Sequence, residues 1–367
     1  MLHNSTVRAA MTGFLTLWAS PDQYISTKEC VNLFYNRIIN RLMSCKTLVS
    51  SVAYPTIGVI LLGGISDKVN RMPLHTSAGI AYTGIDTEIE TRTTLCLSHD
   101  RQFGLFNGSE ISVEPTSRSP FYVIKNYEAE IRRRLGLDSG YISYKSENIN
   151  ILSGSSDSGA AALGVAVSNL ASINPYTEEF ENSLRRISES VGRSLYGGLT
   201  LTHVESGRVW TENLLGPEAF ENVVILGFRF NVTRNPSDAI HENIVNHPEY
   251  PTRKEETRQK GERLKRLARS RSIRDIFDMA AEDTDRYHSL IEAVGVRVRT
   301  DRMNALVKKV RELKESFWLS YIITGGSNVF VTVERETEAE VIKAAQGMHD
   351  GLVRLRVAGK AAVRAES

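Results

Sequence analysis

Residues 150–173 read NILSGSSDSGAAALGVAVSNLASI, a loop of small residues that runs directly into a helix of Ala, Leu and Val. No other segment constrains the fold as much. Ser153, Gly154, Ser155, Ser156, Asp157, Ser158 and Gly159 open that helix. Glycines let the backbone approach a ligand closely, and consecutive N–H groups at a helix start favour a phosphate. Serine hydroxyls add donors, and Ser156 is a candidate to reach a phosphate-bound Mg2+. The same residues read equally as a Gly/Ser surface loop that ends in a helix cap. No Gly-Lys-Ser/Thr follows, and GxGxxG is missing, so neither common nucleotide fingerprint applies.

The segments around the loop predict interspersed strands and helices. Residues 53–62 (AYPTIGVILL) predict a buried strand ended by Gly63-Gly64, and 76–98 predict further strands. Residues 177–195 predict one helix with Phe180, Leu184, Ile187 and Val191 as its apolar stripe. Residues 199–214 predict a hairpin turning at Glu205-Ser206-Gly207. A second unit is expected to begin near 217, with strands at 223–230, 327–334 and 352–357 and helices at 252–275, 303–319 and 337–349. No fixed-period repeat is visible. The expectation is two α+β units, residues 43–216 and 217–367, behind an extension of unknown role at 1–42 that holds a short amphipathic helix at 28–42. The run after Arg8 loosely imitates a secretory signal but is broken by Thr12, Gly13 and Thr16.

Charge excludes several classes of partner. Lys and Arg total 45 against 43 Asp and Glu, a net charge of +2, which gives no global case for nucleic acid or a membrane surface. Residues 253–274 hold ten Lys/Arg against three Glu without interleaved aromatics, which reads as a solvated helix. No run of about 18 apolar residues exists to span a bilayer. Cys30, Cys45 and Cys96 are too few and scattered for a disulfide framework or a zinc site, so a reducing cytoplasm is expected. The histidines lack metal-ligand spacing; His241, His247 and His288 read as structural, and His75 has no assigned role.

Six blocks occur in one order: AYPTIGVILLGG (53–64), MPLHTSAGI (72–80), ILSGSSDSGAA (151–161), SESVGRSLYGGL (188–199), RNPSD (234–238) and TGGSNVFV (324–331). Together they resemble the mevalonate diphosphate decarboxylase branch of the GHMP small-molecule kinases, over roughly residues 44–360. The resemblance implies an α/β (α+β) two-domain fold, with an N-terminal domain like ribosomal protein S5 and a ferredoxin-like C-terminal domain. It implies ATP with Mg2+ along Gly154, Ser155, Ser156, Asp157, Ser158 and Gly159, substrate between the domains, and a cytoplasmic homodimer.

The departures from the decarboxylase pattern select a chemistry. Leu61, Leu62 and Ile65 stand where decarboxylases resemble Lys, Tyr and Lys, and Thr324 stands where they carry Asp. Decarboxylation needs a phosphate to leave and positive charge to build at a tertiary carbon, which a carboxylate stabilises. Phosphoryl transfer has a loose transition state and depends more on positioning and metal. Glu189 replaces a small residue where the family faces a 5-diphosphate; a carboxylate there repels phosphate but accepts a hydrogen bond from a free 5-hydroxyl. These choices resemble the branch's archaeal kinases, which phosphorylate the 3-hydroxyl of mevalonate. The resemblance implies that Arg234 pairs with the mevalonate carboxylate, that Arg193 and Leu61 lie nearby, and that Ser153 helps position substrate or phosphate, with Ser153, Arg193 and Thr324 as the catalytic candidates. By spacing alone, Glu189 and Arg193 form an ordinary i,i+4 ion pair opposite the apolar stripe. A decarboxylase acting on a phosphorylated mevalonate, or a non-catalytic relative that binds such ligands, remains the alternative.

Overall fold

The computed structural model describes residues 45–232, 237–325 and 328–365. The extension at 1–42, its expected helix at 28–42 and Arg234 lie outside the described residues. The chain begins with β1 (Lys46–Ala53), β2 (Thr56–Ile60), β3 (Ser77–Gly84), β4 (Glu90–Ser98), β5 (Gly104–Phe106) and β6 (Ser109–Ile111). Next come α1 (Pro120–Leu135), β7 (Tyr141–Ile149), α2 (Ser155–Ala171), α3 (Glu178–Arg185) and α4 (Val191–Tyr196). The hairpin β8 (Leu199–Glu205) and β9 (Arg208–Leu215) leads to β10 (Val223–Arg229). Four helices follow: α5 (Ser237–Ile244), α6 (Tyr250–Arg269), α7 (Ile273–Ala293) and α8 (Asp301–Leu313). The described chain closes with β11 (Leu319–Ile323), β12 (Asn328–Glu334), α9 (Glu338–Ala344), β13 (Gly351–Val357) and β14 (Ala362–Val363).

These strands build two sheets. One has six strands in the order β14-β1-β4-β7-β5-β6, with β5 parallel to β7. The other has eight, in the order β11-β12-β10-β13-β3-β8-β9, with β2 added beside β3. The second sheet draws strands from both sides of residue 217, through the pairing of β13 with the end of β3. The tail strand β14 returns to β1 in the first sheet.

Helix α2 is buried along most of its length because Ala, Gly and Val let it press against β1, β4, α1 and α4 at once. Ser51 on β1 donates to its Ala162 carbonyl at 2.7 Å, which seats the helix on the sheet. Gly154 ahead of it has φ 79, and a Cβ there would lie 2.4 Å from the Thr56 nitrogen. Only glycine fits this approach between the loop and β2.

Three expected elements differ. The single helix at 177–195 is two, α3 and α4, separated by a turn around Ser188, Glu189 and Ser190. Local polar bonds outweigh the helical period there: both serines donate to Asp157, and Arg185 takes the Glu189 carbonyl. The charged helix bends at Arg271, which has φ 52, and α7 then continues to Ala293. The helix expected over 303–319 stops at Leu313, and residues 319–323 form the wholly buried strand β11.

The cysteine expectation is also corrected. Cys45, the residue just before β1, is disulfide-bonded to Cys96 on the neighbouring strand β4. Among the described residues, no helix is long and apolar enough to cross a membrane.

Candidate active site

Thr56 and Gly58 of β2, with Leu61 and Leu62 just after the strand, form one wall of a cleft of about 310 Å3. Their backbone is held by buried side chains from the helices behind. Leu61 N–H donates to Asp283 at 2.8 Å, and its carbonyl accepts from Arg253 at 2.9 Å. Arg253 and Asp283 form a two-point ion pair in a fully buried position, joined by Lys260. Tyr287 donates to the Leu62 carbonyl and Tyr250 to that of Gly63. His75 accepts the Gly63 N–H at Nε2 and turns Nδ1 to the Thr76 carbonyl; burial drives its pKa down to about 3. Arg253 opens the basic run that reads as solvated, yet it is 0% exposed. The correction follows from Asp283, whose carboxylate gives the guanidinium a partner inside the protein.

The glycine-serine loop forms the opposite wall. Ser153, Gly154, Ser155, Ser156 and Asp157 line the cleft, so the start of α2 points its N–H groups into it. Asp157 is buried and accepts hydroxyls from Thr56, Ser188 and Ser190. Ser158 and Gly159 are not among the lining residues: the Ser158 hydroxyl is fully buried and meets Thr91 at 2.6 Å. Its position in the loop suggests a phosphate contact, but the helical turn carries the side chain back toward β4.

Glu189, Arg193, Leu61 and Thr324 complete the cleft, together with Thr56, Ser190, His241 and Tyr287. Glu189 does not pair with Arg193. Its Oε2 accepts from Arg71 Nη2 at 2.7 Å and Nε at 3.2 Å, and its Oε1 from His241 Nε2 at 3.0 Å. The Gly64 N–H donates to His241 Nδ1, which makes Nε2 the donor. Burial alone would raise the Glu189 pKa, but the His241 hydrogen bond and the Arg71 charge outweigh it and hold the carboxyl far below its usual range.

Arg193 is 6% exposed, and burial pulls its pKa down from the usual guanidinium value. Its Nη2 lies 3.5 Å from the Ile60 carbonyl, and its Nε has no hydrogen-bond partner among the described residues. A Cβ on Gly79 would sit 2.5 Å from its Cδ, so the missing side chain there makes room for the guanidinium stem. The Thr324 hydroxyl lies 2.9 Å from that of Ser153. The carboxylates lining the cleft are Asp157 and Glu189.

The sequence reading misses Arg71, His241 and Tyr287, and assigns Asp238 no firm place. Arg71 immediately precedes the 72–80 block and His241 closely follows 234–238, so proximity to quoted motifs is the one available signal. Spacing cannot reveal contacts that span 118 residues, as Arg71 and Glu189 do.

Comparison with known proteins agrees with this geometry. Residues 53–211 match the diphosphomevalonate decarboxylase-like N-terminal domain, and residues 235–339 match the mevalonate-3-kinase C-terminal domain. The mevalonate-3-kinase of Picrophilus torridus is 48% identical over 313 residues, covering 85% of this chain and 96% of that one. The mevalonate 3-kinase of Thermoplasma acidophilum is 41% identical over 314 residues, with the same shares. The crystal structure of the Thermoplasma enzyme with mevalonate 3-phosphate and ADP bound superposes with a TM-score of 0.81, covering 88% of this chain and 100% of that one at 40% identity. Mevalonate diphosphate decarboxylase from Staphylococcus aureus, at 17% identity and a TM-score of 0.72 over 88% of this chain and 99% of that one, shares the fold. The described architecture is thus that of the GHMP kinases, and the chain belongs to the mevalonate 3-kinase family.

Proposed function

We propose that this protein transfers the terminal phosphoryl group of ATP to the 3-hydroxyl of mevalonate, releasing mevalonate 3-phosphate and ADP without loss of CO2. One observation carries this reading beyond family membership. At the Thr324 position the cleft presents two hydroxyls, Thr324 and Ser153, 2.9 Å apart. The cleft-lining carboxylates are both engaged elsewhere, Asp157 by three hydroxyls and Glu189 by Arg71 and His241. Among the described residues, the cleft therefore offers no uncommitted carboxylate to charge developing at a tertiary carbon. A loose phosphoryl transition state makes little demand for a strong base on the attacking hydroxyl.

In this reading the triphosphate lies along Ser153–Asp157 at the start of α2. The guanidinium of Arg193, a residue that lines the cleft, supplies positive charge to the transferring phosphoryl group. Glu189 accepts the 5-hydroxyl of mevalonate, Leu61 packs on its carbon chain, and Arg234 takes its carboxylate. Ser153 and Thr324 position the 3-hydroxyl. The O3–P bond forms as the bond from phosphorus to the β-phosphate oxygen breaks, and once that exchange is advanced the hydroxyl proton passes to an oxygen of the transferred phosphoryl group and on to solvent. A second recess, of about 340 Å3, is lined by Asn107, Asn148, Asn150 and Arg229 and shares Ser153 and Ser155 with the cleft. We place the nucleoside there, on the far side of the loop from mevalonate.

Mg2+ fits the hydroxyl-rich chemistry of the loop, with Ser156 as the protein ligand. When bound, it neutralises phosphate charge and aligns the transferred group. Among the described residues, no cluster of three His, Cys, Asp or Glu is built to hold a metal, so the phosphates would supply most of its ligands. Residues 43–216 would then carry the nucleotide and most of the mevalonate contacts, and 217–367 would close the cleft with Thr324. The cytoplasmic, homodimeric state implied by the resemblance belongs to this proposal. The Cys45–Cys96 disulfide pulls against a reducing compartment, and thiol titration of freshly isolated protein decides between them.

The test incubates purified protein with mevalonate and ATP-Mg2+, following 31P signals and evolved gas. A phosphate ester on C3 with ADP and no CO2 is expected. Gas evolution would move the assignment to a decarboxylase.

A further inference from the structure

Glu189 is restrained at its carboxylate by two groups, and at its backbone carbonyl by a third, that the reaction outlined above does not use. Arg71 fills two acceptor directions on Oε2, and His241 fills one on Oε1. From below, Arg185 Nη1 donates to the Glu189 carbonyl at 2.6 Å. Arg71 itself is 1% exposed, and its Nη1 reaches Asp238 Oδ1 at 2.8 Å. Asp238 Oδ2 in turn accepts from Arg118, whose side chain is half exposed. Glu189, Arg71, Asp238 and Arg118 therefore alternate in sign, and the chain of charges is neutral overall.

This arrangement has a chemical consequence. A carboxylate offers roughly four lone-pair directions, and here three are occupied. The fourth lies on Oε1 of a residue that lines the cleft. It accepts a hydroxyl proton, whereas a phosphate ester brings another set of acceptors. Arg71 cannot supply the phosphate with a cation, because its guanidinium fork is spent on two carboxylates. We propose that Arg71 and His241 are positioning residues that orient Glu189 so that its one open acceptor faces the cleft, making this wall select the free 5-hydroxyl of mevalonate over a 5-phosphate. The inference rests on the kinase reading. Arg71 acts wholly through Glu189, whereas His241 also lines the cleft.

The test measures kcat and KM for mevalonate, 5-phosphomevalonate and ATP on the full chain and four variants. Arg71→Met should raise KM for mevalonate about tenfold, leaving kcat and the KM for ATP within about threefold. Its preference for mevalonate over 5-phosphomevalonate should shrink from the mevalonate side. Arg71→Lys, a point charge in place of a fork, should recover part of the loss. His241→Gln keeps an N–H near the Nε2 position and should stay close to wild type, whereas His241→Phe should raise KM for mevalonate.

An unchanged mevalonate KM in folded Arg71→Met overturns the proposal. So does an equal loss toward ATP and mevalonate that the Lys variant does not relieve. Where Arg71→Met does not fold, the His241 pair decides: equal KM values for Gln and Phe refute it. Failure of the wild-type protein to phosphorylate mevalonate removes the kinase reading first, before any variant is compared.

Discussion

The two walls of the cleft are built in opposite ways. The wall proposed for the nucleotide is one continuous stretch, Ser153–Asp157, shaped by a glycine turn and the start of a helix. The proposed substrate wall is collected from afar: Arg71 and Glu189 come from separate segments, Asp238 and His241 from α5, and all four are joined by charge and hydrogen bonds. The first wall binds with backbone N–H groups, whose direction follows from local conformation. The second binds with side chains whose direction depends on every partner being present. Damage to the first should thus fall on ATP, and damage to the second on mevalonate.

The strongest challenge to this contrast lies behind the substrate wall, at the ion pair that holds Leu61. Breaking a buried pair by removing one partner costs about 3–5 kcal/mol, because the other charge is left buried. Arg253→Met should lower stability by that amount in a denaturant titration, while a loss under about 1 kcal/mol would show that the pair is not needed. Gly154→Ala comes next. Its Cβ would collide with Thr56 at a positive φ, for about 2–5 kcal/mol of combined overpacking and backbone strain. The contrast requires that KM for ATP rise well before that for mevalonate.

Glu189→Gln should act more gently. It keeps the shape but presents a donor to a phosphate, so the preference for mevalonate over 5-phosphomevalonate should fall about tenfold in competition assays. The smallest effect is acid sensitivity. Although burial opposes it, the Arg253 charge holds the Asp283 pKa down to about 2. A carboxyl depressed in the folded state adds stability above its unfolded pKa of about 4, and that stability drains away as pH falls toward the folded value. Asp283→Asn should be less stable than wild type at pH 7, with the gap closing below about pH 4 in a series of thermal melts.

The phosphate loop was legible because its chemistry is written in consecutive residues, and the hairpin over 199–214 because turn and alternation are local as well. The one-helix reading of 177–195 failed at Ser188–Ser190. An apolar period says nothing of a buried Asp157 that captures two hydroxyls and leaves Glu189 on a turn. The same blindness led the Arg253–Arg274 run to read as solvated, although its first member is buried against Asp283.

The sequence by itself determined the family, the Ser153–Gly159 loop at the start of α2 as the candidate phosphate site, and the replacement of charged decarboxylase positions by Leu61 and Thr324. It also placed a carboxylate at position 189. Only the tertiary structure decided what that carboxylate is able to do. Its hydrogen-bond partners are Arg71 and His241, which lie 118 and 52 residues away in the chain. Electrostatic partnership depends on distance through space and on exclusion of water, and neither is encoded in the spacing of residues along the chain.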